Sequence, residues 1–89
     1  MPHATFTFDD LKRILLEGSG APDGIELDEN VLDTEFGLLG YDSLALLETA
    51  GRVEREYGIS LEESILSDAP TPRSFVTAVA AHLGTPAAA

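Results

Sequence analysis

Between Gly40 and Gly58 the chain carries one amphipathic helical run with two distinct faces, and this run constrains the fold more than any other feature. Wound at ~100° per residue, Leu46, Ala50, Val53 and Tyr57 gather within about 60° of one another, a narrow stripe that faces a core. Asp42 or Ser43 opens this helix, and Gly58 stops it just past Tyr57. Leu44, Leu47, Glu48, Gly51 and Arg55 fall on the opposite side, with Glu54 at its edge and Asp42 at its start. The core stripe does not need these residues. Either a neighbouring loop or helix covers Leu44 and Leu47, or they form a docking surface, a small apolar patch rimmed by acid. Glu48 also stands four residues before Arg52, the favourable order for a local ion pair.

The rest of the chain supports a bundle. A first helix is expected over about residues 8 to 18, capped by Thr7 with Asp10 completing a capping-box variant. It buries Leu11, Ile14 and Leu15, leaves Lys12, Arg13 and Glu17 to water, and ends at Gly18 and Gly20. Residues 19 to 41 carry turn signals at Gly20, Pro22 and Asp23-Gly24, then scattered apolar residues (Ile25, Leu27, Val31, Leu32, Phe36, Leu39) with no sustained period. So long a loop in a small domain is expected to pack by its own side chains. A short third helix, capped by Ser60, is expected over Leu61 to Leu66. Thr71 and Pro72 start a fourth, which buries Phe75, Val76, Val79 and Leu83 and ends at Gly84. Nothing reads as a strand or an internal repeat. The expected fold is all-α: a small four-helix bundle, three main helices plus a short third, with a long structured loop between the first two.

At 89 residues the chain has room for one core, read as a single domain ordered from about residue 6 to 83 with a flexible tail at each end. Hydrophobic residues make up 44%, too many for a disordered chain. No stretch has the length of a membrane span, and the N-terminus lacks the apolar core of a signal peptide, so a cytoplasmic protein is expected. Sixteen acidic residues against five basic ones give a net charge of −11, which repels nucleic acid and anionic membranes and steers toward basic partner surfaces.

The chemistry concentrates at Gly40-Tyr41-Asp42-Ser43-Leu44, which places a serine hydroxyl where a glycine-bearing turn meets a helix. A phosphate ester there would lie in the field of unpaired backbone N–H groups and the positive end of the helix dipole. Hydrolytic catalysis by Ser43 would need a base. The two histidines are His3, near the N-terminus, and His82, near the end of the last helix. G-Y-D-S-L is not the contiguous G-D-S-L of one lipase family, alanine at position 45 breaks the G-x-S-x-G elbow, and the chain is too short for either fold. Calcium fares no better. A 12-residue loop begun at Asp23 puts Ile25 and Leu27 at ligand positions and Thr34 where glutamate is needed, and one begun at Asp28 ends on Leu39. No catalytic residue and no metal site is therefore assigned. With no cysteine, the chain has no thiolate ligand or nucleophile of its own.

The string GYDSLALLE at the start of the second of four helices, followed by RVEREYGI, resembles acyl carrier proteins, and most closely those of bacterial aromatic (type II) polyketide synthases. The resemblance runs from Phe6 to Leu83. It implies a 4′-phosphopantetheine arm, taken from coenzyme A and attached to Ser43 with Asp42 in support, whose thiol carries acyl intermediates as thioesters. It further implies docking through Leu44, Leu47, Glu48 and Glu54, and a non-catalytic, monomeric carrier subunit. The implied partners are a phosphopantetheinyl transferase, a ketosynthase/chain-length factor, an acyltransferase, and a ketoreductase or cyclases, with no nucleic acid and no membrane. Leu38 departs from the pattern, because many carriers have an acidic residue there. A fatty-acid-type carrier, or an acidic helical interaction domain that is never modified, is the alternative.

Overall fold

In the computed structural model, which describes residues 5–20, 24–62 and 64–83, the helices begin and end largely at the caps the chain supplies. Helix α1 spans Phe8–Ser19. The Thr7 hydroxyl accepts from the Asp10 amide, and Asp10 Oδ2 accepts from the Thr7 amide at 3.0 Å, closing the capping box. At its other end Gly20, at φ 81°, donates its N–H to the Leu15 and Leu16 carbonyls. Helix α2 spans Ser43–Tyr57, with Asp42 as N-cap and Gly58 in the left-handed region at φ 67°. Helix α3 covers Ile65–Asp68, and α4 covers Pro72–His82 behind a second capping box between Thr71 and Ser74. No strand occurs among the described residues.

Helix α1 packs on α2 and α4, and α3 packs on α4 and α2. Leu11, Ile14 and Leu15 meet Val53, Phe75, Val76 and Val79 in one buried cluster. Through it runs a row of edge-on aromatic contacts: Tyr57 to Phe6 (5.3 Å), Phe6 to Phe75 (6.3 Å), Phe75 to Phe36 (6.1 Å) and Phe36 to Tyr41 (6.5 Å). Each such pair adds about 0.5–1.5 kcal/mol beyond its buried area. The row carries packing from the far end of α2 to the turn in front of Ser43.

The α1–α2 loop is packed by its own side chains, as expected, with Leu27, Val31, Phe36 and Leu39 buried. It also holds two short 3₁₀ turns, Glu29–Val31 and Phe36–Leu39, too brief for a period to show in sequence. The loop is stitched to the start of α4. Phe36 N–H donates to the Pro70 carbonyl and Arg73 N–H to the Leu32 carbonyl, both at 2.9 Å, while Arg73 Nε donates to Asp33 Oδ1 at 2.8 Å.

Several expectations need correction. Helix α3 starts at Ile65, behind Ser64, and Ser60 does not cap it. The Leu61 amide, which would have entered the expected first turn, donates instead to Glu54 Oε2 at 2.7 Å. Arg13 does not simply face water, since its guanidinium reaches Glu56 at 2.8 Å. Arg52 pairs with Glu17 on α1 and with Glu56 rather than with Glu48. Thr49 joins Ala50 and Val53 on the buried side of α2; its hydroxyl is satisfied by the Ala45 carbonyl at 2.9 Å, which lets a polar residue sit inside. Pro22, Asp23, Gly84, His3 and, apart from Thr5, both expected tails lie outside the described residues.

Candidate attachment site at the start of helix α2

The site is built by three consecutive backbone decisions. Gly40 closes the second 3₁₀ turn at φ 95°, ψ 7°, a conformation that favours glycine, and its N–H donates to the Gly37 carbonyl. No atom would crowd a Cβ at Gly40, so the demand is conformational and not one of space. Tyr41 then turns inward. It is 5% exposed, its N–H donates to the Phe36 carbonyl at 3.0 Å, and its hydroxyl donates to the Gly20 carbonyl at 3.0 Å. Burial pushes the phenol above its ordinary value of 10.0, so it stays protonated and able to donate. Asp42 is extended, and its Oδ1 accepts from the Ala45 amide at 2.8 Å.

Ser43, the first residue of α2, is exposed. Among the described residues its hydroxyl has no hydrogen-bond partner, and neither do the amides of Ser43 and Leu44, because the cap serves Ala45 and the Asp42 carbonyl serves Leu46. Free amides at the positive end of a fifteen-residue helix favour a phosphate ester on the neighbouring oxygen. The adjacent Asp42 carboxylate opposes that charge, but its Oδ1 is already engaged with a backbone N–H. These residues fit a phosphodiester carried in solvent.

The docking candidates are uncovered. Leu44 is 64% exposed and Leu47 53%, so neither the loop nor α3 covers them, and Leu38 just upstream is 73% exposed. Glu48 is exposed with no ion pair among the described residues. Beside this face a cleft of about 380 Å³ is lined by Ile14, Leu47, Glu48, Arg52 and Arg55. Glu54 differs: it is half-buried and holds the Leu61 amide. Among the described residues nothing nearby activates Ser43 as a nucleophile. His82 is exposed on α4 with Nδ1 bonded to the Ala78 carbonyl of its own helix, and no cluster of metal-ligating side chains occurs among the described residues.

Comparison with known proteins decides among carriers, regulators and hydrolases. The phosphopantetheine attachment site family matches residues 23–79. The monensin polyketide synthase acyl carrier protein of Streptomyces virginiae is 54% identical over 76 residues, 85% of each chain. The chain belongs to the acyl carrier proteins of type II polyketide synthases. The actinorhodin polyketide synthase acyl carrier protein of Streptomyces coelicolor is 46% identical over 70 residues, 79% of this chain and 81% of that one. The solution structure of acetyl actinorhodin acyl carrier protein superposes with a TM-score of 0.77 at 43% identity, covering 91% of this chain and 95% of the other. The holo form of that carrier has a TM-score of 0.75 at 41% identity, covering 90% and 93%. Like its relatives, this carrier holds polyketide intermediates through a 4′-phosphopantetheine group and works with synthase enzymes. These relatives favour the polyketide reading over a fatty-acid carrier or an unmodified domain. None of the described helices is long and apolar enough to cross a membrane.

Proposed function

We propose that Ser43 carries the arm, and that the exposed start of α2 is where a sequence of enzymes meets it. The observation that carries this reading is an exposed hydroxyl beside two helix-terminal amides, none of the three with a partner among the described residues and no base among those residues in reach. Loading forms a bond from Ser43 Oγ to phosphorus as the pyrophosphate bond of coenzyme A breaks. The leaving group is 3′,5′-adenosine bisphosphate, and the hydroxyl proton passes to a base on the phosphopantetheinyl transferase. The arm brings the terminal thiol that a cysteine-free chain lacks. Asp42 has two compatible uses: it caps α2, and it offers a carboxylate to a basic group or metal on the transferase.

Leu44, Leu47 and Glu48 form the partner surface, with Glu54 at its edge contributing whatever charge its bond to Leu61 leaves available. The partners are the transferase, a ketosynthase/chain-length factor, an acyltransferase, and a ketoreductase or cyclases. The carrier acts as a cytoplasmic monomer and catalyses nothing itself. Incubation with coenzyme A and a promiscuous transferase, followed by intact mass measurement, tests the reading. The wild-type chain gains the mass of one arm and Ser43→Ala gains none; an arm on the alanine variant overturns the assignment.

A further inference from the structure

Residues 40–43 are held mostly by their own neighbourhood. Gly40 N–H bonds to Gly37, Tyr41 N–H to Phe36, and Asp42 caps the helix it precedes. Among the described residues one hydrogen bond ties this turn to a distant part of the chain: Tyr41 Oη to the Gly20 carbonyl, 3.0 Å across 21 positions of sequence. Gly20 is itself fixed, because its N–H closes the end of α1 on the Leu15 and Leu16 carbonyls. The Tyr41 ring meets Phe36 edge-on, and Phe36 in turn meets Phe75 of α4. One side chain thus references the turn to α1 through its hydroxyl and to α4 through its ring.

We infer that Tyr41 is a positioning residue for arm transfer: its hydroxyl, bonded to the Gly20 carbonyl, holds the Gly40–Ser43 turn so that Ser43 Oγ stands in one orientation when coenzyme A is presented. The inference rests on Ser43 being the attachment point. A nucleophile held in one geometry reacts faster than one that samples several, and a misplacement of about 1 Å is enough to cost up to ~100-fold. Removing one anchor of several gives a smaller loss. Leu44, Leu47 and Glu48 are left untouched, so the loss falls on the transfer step and not on docking.

The test compares Tyr41→Phe, which keeps the ring and deletes the hydroxyl, with Val76→Ala, which trims a buried residue of α4 outside the turn. Both are loaded by one transferase in single-turnover experiments well below their melting temperatures, and backbone amide exchange is followed at Tyr41, Ala45 and Leu46. Tyr41→Phe is expected to lose about 3- to 10-fold in transfer rate at saturating carrier, with an unchanged half-saturating concentration. Its amide exchange speeds up at those three positions, whereas Val76→Ala loads at the wild-type rate. A Tyr41→Phe rate within about twofold of wild type overturns the inference, as does an equal loss in Val76→Ala, which would mark the effect as general loosening. Ser43→Ala run alongside separates the two layers. If it takes up no arm while Tyr41→Phe loads normally, only the positioning role is lost; if it takes up an arm, the attachment assignment fails.

Discussion

In the C-terminal half of α2, Arg52, Glu54 and Glu56 are committed to the fold: Arg52 to Glu17 and Glu56, Glu54 to the Leu61 amide, and Glu56 also to Arg13. Tyr57 there packs edge-on against Phe6. In the N-terminal half, Ser43, Leu44, Leu47 and Glu48 stay exposed, and among the described residues the Ser43 and Glu48 side chains make no hydrogen bond. Fully burying a leucine is worth about 1.5–3 kcal/mol, so leaving two leucines more than half exposed forgoes about 2–3.5 kcal/mol. In a domain whose total stability is about 5–15 kcal/mol that is a sizeable concession. One end of the helix is spent on holding the bundle together, and the other is left for what comes to it.

The sharpest way to break this contrast is to trim each half in turn. Val53→Ala, at a fully buried position of α2, should cost about 2 kcal/mol in chemical denaturation. Leu47→Ala should stay within about 0.5 kcal/mol of wild type yet weaken binding to a ketosynthase partner. Equal stability losses would erase the distinction. Asp42→Ala sits at the boundary and should show both effects, losing about 1 kcal/mol of stability with the cap and also slowing arm transfer. A variant that is destabilised but loads at the wild-type rate would confine Asp42 to capping.

Much of this division was legible in sequence, because helical period and caps are local signals. Thr7, Asp42, Gly58 and Thr71 mark their helix ends correctly, and the opposed faces of α2 follow from residue spacing alone. What stayed hidden depends on tertiary partners. Glu48 and Arg52 have the spacing of an intrahelical pair, but Arg52 finds Glu17 across the α1–α2 contact. Ser60 looks like a cap, yet the Glu54 carboxylate takes the Leu61 amide first. The Tyr41–Gly20 bond joins the motif to the glycine that ends α1, 21 positions away, and no periodicity announces it. In sequence Tyr41 is one residue of the string that carries the family resemblance, with no sign of a distant partner.

Smaller effects sharpen the comparison further. Glu48→Lys should leave melting unchanged and slow association with a basic partner surface, most visibly at low salt. Rates that do not respond to ionic strength would remove Glu48 from that surface. The weakest effect is expected at Asp33, an exposed residue of the α1–α2 loop paired with Arg73 at the start of α4. Its bond to the Arg73 guanidinium holds the carboxyl below the ordinary value of 3.8. A folded-state value below the unfolded one means the pair contributes above the unfolded value and is lost as pH falls through the folded one. Asp33→Asn should therefore flatten the acid limb of stability below about pH 4, with little change at neutral pH. An unaltered acid limb would show that this exposed pair contributes nothing.

The central claim, that the bare end of α2 is the working end, is tested most directly by locating the arm. Wild-type protein loaded from coenzyme A is digested, and the modified peptide is fragmented to the level of single residues. All of the phosphopantetheine should reside on Ser43, with every other serine, threonine and tyrosine unmodified. An arm found on any other hydroxyl, or a chain that takes up none, would contradict the account.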